Sequence, residues 1–316
     1  MKTAIYQSTY KNEPCLAMES AELRVLVLPQ FGGKIQSIFS KKHGREYLYQ
    51  APGESFKRPE YGMDFAQGEC SGFDDMFPTI DPCPFPGRAG TVVPDHGEVW
   101  ALPWEWEERE DSLFLSVKGR LFPYHLEKEL AFTGPSELTI HYRVLNQGES
   151  TFPFIWAAHP LVNCTEGMRI FLPDSAEEII NVYGESKRLG SYGKIYSWPL
   201  AQSANGLPHD LSKIRGFSAH SCDKYYVVNQ LSEGTCALQD PVSKTAITFT
   251  FPVDKVPYLG IWVNEGGFHG QYNAALEPCT GPLDNLELAH RLGKASLVEA
   301  GGEYTWFLKV AVEDTE

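Results

Sequence analysis

The sequence predicts an all-β protein built as one large antiparallel β-sandwich over residues 1–316, with few short helices. Three observations carry this: repeated period-two hydrophobic alternation, dense turn signals between the alternating runs, and almost no helical periodicity. Half-buried strands alternate because successive side chains point to opposite faces of a sheet.

In "SELTIHYRVLN", Leu138, Ile140, Tyr142 and Val144 fall on one face. "EYTWFLKVAVE" does the same with Tyr304, Trp306, Leu308, Val310 and Val312, and "AITFTF" with Ile247, Phe249 and Phe251. "RVLVLP" and "YLGIWVN" are more continuously apolar, as expected of strands buried on both faces. Gly, Pro, Asn and Asp separate these runs in "LPQFGGK", "AFTGPSE" and "LNQGES", and "LDNLELAHRL" at 283–292 is the one segment with helical spacing. No fixed-period repeat and no low-complexity linker divides the chain. The loop-rich 51–96 region, dense in Pro, Gly and Asp, is longer than an ordinary connection, and such loops commonly carry function.

Charge and cysteine usage limit the function classes. Twenty-seven basic against 41 acidic residues give a net charge of -14, with no basic run to follow a phosphate backbone, so a nucleic-acid partner is not expected. The N-terminal "MKTAIYQSTYKNEP" has no apolar signal-peptide core, and no segment is long and apolar enough to span a bilayer, which predicts a cytoplasmic protein with no membrane partner. The seven cysteines contain no C-x-x-C pair and read as reduced thiols, neither a disulfide framework nor a thiolate zinc site.

Two short stretches share a local grammar: small residues, one titratable group, then proline. In "AALEPCTG" the group is Glu277, and in "FIWAAHPLVN" it is His159 at the end of an apolar strand. Proline holds the preceding residue extended and gives no N–H to a ladder, which predicts that both groups lie at strand ends or edges. The alanines leave room for a ligand. A desolvated carboxylate has its pKa raised toward the range of a general base and a histidine is already near it, so a Glu and a His facing one ligand suffice for acid/base chemistry. If "DHGEVW" is a strand, His96, Glu98 and Trp100 share a face and form a cleft wall; otherwise Trp100 is core and His96 caps the loop. A rival reading takes His96, Glu98 and His159 as ligands of a metal site, on two pleat-spaced ligands plus a distant His; no metal is expected.

The order "DHGEVW", "AAHPLVN", "CDKYYVV", "YLGIWVNEGG" and "LEPCTG" resembles the aldose 1-epimerase, or galactose mutarotase-like, family. "LPQFGGKIQSI" and "GFDDMFPT" look like that family's first strands and the loop before its first histidine. The resemblance covers almost the whole chain and implies a β-supersandwich that interconverts the anomers of a free aldose without a cofactor. It implies that Glu277 is the base that takes the anomeric proton and His159 the acid that protonates the ring oxygen. His96 and Asp223 match sugar-binding positions. The family's Asn-Arg pair before the first histidine is missing; Arg88 stands in the loop as its substitute, and Trp100 and Trp262 offer platforms for a sugar ring. The same fold also serves hexose 6-phosphate epimerases, which use several arginines, and non-catalytic sugar-binding modules. His269, on a Gly-rich loop near Glu277, is a further candidate for the cleft border.

Overall fold

The computed structural model describes residues 3–184, 186–202 and 206–315. Two large antiparallel sheets make up the chain, one of thirteen strands and one of eight. The long alternating runs become the centre of the smaller sheet: Tyr124–Gly134 pairs with Glu137–Asn146, which pairs with Glu303–Asp314. Their inward residues, Leu126, Leu138, Ile140, Val144, Leu308 and Val310, are fully buried. They join one hydrophobic cluster with Val25, Ile35 and Phe73 of the larger sheet and with Trp156, which precedes its Ala157–Pro160 strand. Tyr142 and Trp156 meet across the sandwich at 4.8 Å between ring centroids.

The larger sheet carries the titratable pair. Its central order runs Phe73–Met76, Ala157–Pro160, Tyr272–Cys279, Tyr258–Glu265 and Ser221–Val227. Both strands are interior to the sheet, not edges; His159 and Pro160 lie at the end of Ala157–Pro160 as expected, whereas Glu277 sits within Tyr272–Cys279. The missing proline N–H groups are accommodated by a break in the ladder instead. Ala157 pairs with Cys279 and Val162 with Ala274, but no pairing joins the residues between. Glu277 and His159 flank that break.

Three local readings also change. "FIWAAHP" is divided, with Phe152–Phe154 paired to Ser296–Val298 in a separate small sheet. The helix is confined to Leu286–Arg291, capped by the Asn285 side chain. "HGEVW" is no strand: His96 has a left-handed backbone (φ 57°), and Val99–Ala101 is a 3-10 turn. Gly97, also left-handed, sits so close to Phe77 that a Cβ there would lie 2.1 Å from its carbonyl oxygen, so only glycine fits. All seven cysteines are buried free thiols. Among the described residues no helix is long and apolar enough to cross a membrane.

Candidate active site

Strand register explains which side chains meet. Tyr226 pairs with Gly260 and Gly260 with Glu277, while Lys224 pairs with Trp262 and Trp262 with Ala275. Laterally paired residues share a sheet face, so Lys224, Tyr226, Trp262 and Glu277 point to one side. Gly260 is small by necessity, since a Cβ there would sit 3.0 Å from the Tyr226 ring and 3.3 Å from Glu277 Oε2.

That side holds a cleft of about 340 Å³, a volume suited to a small ligand. Phe65, His96, His159, Lys224, Trp262 and Phe268 line it, with Asp64, Asp81, Asp95 and Asp284 as its carboxylates. Glu277 is fully buried directly behind His159 and Lys224. Its Oε2 accepts from Lys224 Nζ, while its Oε1 faces His159 Nε2 at 3.8 Å and has no hydrogen-bond partner among the described residues. Oε1 is thus the Glu277 oxygen beside His159, and both His159 and Lys224 line the cleft.

Burial pushes the Glu277 carboxyl up to about 7, with Lys224 pulling the other way and Asp284 adding to the rise. His159 is held well below the usual imidazole range by burial, with the nearby His96 and Lys224 adding to the fall. Burial lowers Lys224, but Asp284, 3.6 Å away, and Glu277 outweigh it and keep the ammonium charged. Asp284 is fixed in turn by the Tyr226 hydroxyl. Asp81 is pushed up to about 6 by burial and by Asp284.

His96 is oriented from three sides. Its Nδ1 shares a 2.9 Å hydrogen bond with Asp95 Oδ1, and its ring stacks on Phe65 at 4.1 Å and 6°. The His159 ring stands perpendicular to it at 5.7 Å. Asp95 also accepts from the Phe65 backbone N–H; burial raises its pKa, yet the hydrogen bond and charge of His96 bring it below the usual carboxylate range.

The structure thus brings together Glu277, His159, His96 and Trp262, and places other candidates elsewhere. Asp223 is adjacent to Lys224 in the strand and so faces the opposite side of the sheet, buried against Arg188 and Ser186. Trp100 is core, donating from Nε1 to the Asp95 carbonyl and packing edge-on against Phe65. Arg88 is exposed over the Phe122 ring, outside the cleft. Glu98 accepts from Tyr61 and from the backbone of Arg120 and Leu121, so it does not join the two histidines. His269 is exposed; its neighbour Phe268 lines the cleft. Lys224, Asp284 and Asp81 were missed. Only Lys224 left a signal, since it follows Asp223 in a strand and must take the other face.

Chains of known structure share this architecture. A candidate aldose 1-epimerase from Klebsiella pneumoniae superposes with a TM-score of 0.74 at 14% identity, over 99% of this chain and 84% of its own. One from Escherichia coli gives 0.66 at 18%, covering 99% of both chains. A galactose mutarotase related enzyme from Lactobacillus acidophilus gives 0.66 at 15%, over 99% and 98%. No protein-family profile matches the chain, and no curated protein does. At these identities the likeness establishes the fold, which is galactose mutarotase-like.

Proposed function

We propose that the protein is an aldose 1-epimerase, opening and reclosing the ring of a free aldose at this cleft. The carrying observation is the fully buried Glu277, with Oε1 3.8 Å from His159 Nε2 and without a hydrogen-bond partner among the described residues, behind a cleft walled by aromatic rings. A carboxyl raised to about 7 is matched to proton transfer at neutral pH. Glu277 takes the anomeric proton as the bond from the anomeric carbon to the ring oxygen breaks. A donor on the same wall protonates the ring oxygen, and His159 contributes an imidazole N–H there. Rotation of the aldehyde and reversal of both transfers gives the other anomer. Trp262 and Phe65 present apolar faces to the sugar, and His96, held by Asp95, presents Nε2 to a hydroxyl.

The cleft carries four aspartates and no arginine among the described residues that line it. This supports an unphosphorylated sugar over a hexose 6-phosphate, whose phosphate needs cationic partners. The test is polarimetry or anomer-exchange NMR over a panel of aldoses and aldose 6-phosphates, with Glu277→Gln and His159→Asn as controls. Accelerated exchange of at least one free aldose, lost in Glu277→Gln, is the expected result. Saturable sugar binding without acceleration identifies a non-catalytic binding module and ends the enzymatic reading.

A further inference from the structure

Resting on the mutarotation proposed above, the geometry points to Lys224 as the group that delivers the proton to the ring oxygen and takes it back on reclosure. Lys224 lines the cleft, whereas Glu277 lies one layer behind it. A sugar oxygen hydrogen-bonded to Glu277 Oε1 sits between His159 and Lys224. The anomeric oxygen and the ring oxygen are bonded to the same carbon, so a group beside the acceptor of one is beside the other. Lys224 Nζ donates to Glu277 Oε2 and lies 3.6 Å from Asp284 Oδ1, an ammonium has three donors, and the residue lines the cleft.

His159 is the weaker source of this proton. Its Nδ1 is buried with no hydrogen-bond partner among the described residues, and burial holds the ring's pKa well below the usual range. The groups around Lys224 are Glu277, Asp284, Asp81, His96, His159, the buried Cys279 thiol and the Tyr226 ring, 5.8 Å from Nζ. Two carboxylates hold the lysine as an ammonium, so it carries a proton at neutral pH.

The step balances. The Glu277 carboxylate takes the proton of the anomeric hydroxyl, the carbonyl forms, and the bond to the ring oxygen breaks. Its electron pair goes to that oxygen, which takes a proton from Lys224. Glu277 is left as the acid and Lys224 as the free amine, already in contact. Reclosure on the other face reverses both transfers, Glu277 returning its proton to the carbonyl oxygen and Lys224 taking that of the ring hydroxyl, which restores the starting state without solvent. Before and after, the pair is neutral, so no charge is created in the buried site.

The test compares kcat, KM and pH profiles for anomer exchange in the parent, Lys224→Met, Lys224→Cys treated with 2-bromoethylamine, His159→Asn and Glu277→Gln. We expect Lys224→Met to lose about 100-fold or more in kcat, the scale of a general acid, with KM little changed. His159→Asn should lose less. Aminoethylation of Lys224→Cys restores an amine of lower basicity, so activity returns with the basic limb of the profile moved down. A purely structural lysine would not move that limb. If Lys224→Met does not fold, the aminoethylated protein and its limb decide alone. Glu277→Gln inactive while Lys224→Met keeps kcat within a few-fold of the parent overturns this assignment and leaves the mutarotase reading intact. A parent that exchanges no aldose overturns both.

Discussion

Asp75 and Glu277 are both buried carboxylates held by a lysine, and they differ in what is left over. Asp75 Oδ2 takes a 2.7 Å bond from Lys128, which reaches across from the smaller sheet, and its Oδ1 takes the Trp156 indole N–H at 3.0 Å. Both oxygens are used, and Lys128 also donates to the Gly33 carbonyl. Glu277 shares its lysine with Asp284 and keeps Oε1 unpartnered beside a cleft. A saturated buried pair ties sheets together. An unsaturated one stores a desolvation cost that a ligand relieves, which is where perturbed acids and bases gather.

The contrast breaks or sharpens under substitution. Glu277→Gln should lower anomer exchange about 10²–10⁴-fold with its circular dichroism unchanged, because Lys224 retains Asp284. Asp75→Asn should do the reverse, costing about 3–5 kcal/mol of stability by urea unfolding because Lys128 is left uncompensated, while the folded fraction keeps its kcat. Equal stability losses at the two sites would erase the distinction.

The pH dependence is the next largest effect. Glu277 must be ionised to act as base, so kcat should fall as pH drops through about 7. Its folded pKa lies above the ordinary 4.5, so the folded state binds its proton more readily than the unfolded chain. That contribution to stability is fully present below about 4.5 and is lost as pH rises through about 7. A pH–rate profile with no inflection around neutrality would contradict the assignment. Trp262→Ala should then raise KM severalfold with kcat retained, an aromatic contact being worth about 1 kcal/mol. Arg88→Ala, at the far end of the scale, should leave kcat/KM unchanged, because its guanidinium lies over Phe122 outside the cleft.

Much of the sandwich was legible because alternation reports burial directly, as in Glu137–Asn146 and Glu303–Asp314. The shared Glu-Pro and His-Pro grammar located two groups that meet in space, although a proline at an interrupted interior ladder reads the same as one at an edge. Asp223 misled because a short motif does not fix parity, and one residue along a strand exchanges the cleft for the far side. Lys224 occupies the face that Asp223 was expected to take. Asp81 and Asp284 come from separate loops, and Trp100 turned inward because a left-handed His96 redirects the chain into a 3-10 turn. Such long-range convergence leaves no local signature.

The most direct test is saturation-transfer NMR on the anomeric protons of the best-turned-over aldose, at saturating sugar, with parent protein and with folded Glu277→Gln. Transfer between the α and β signals in the parent, and its loss in the variant with sugar binding retained, is the predicted result. Transfer at the parental rate in Glu277→Gln would contradict the account.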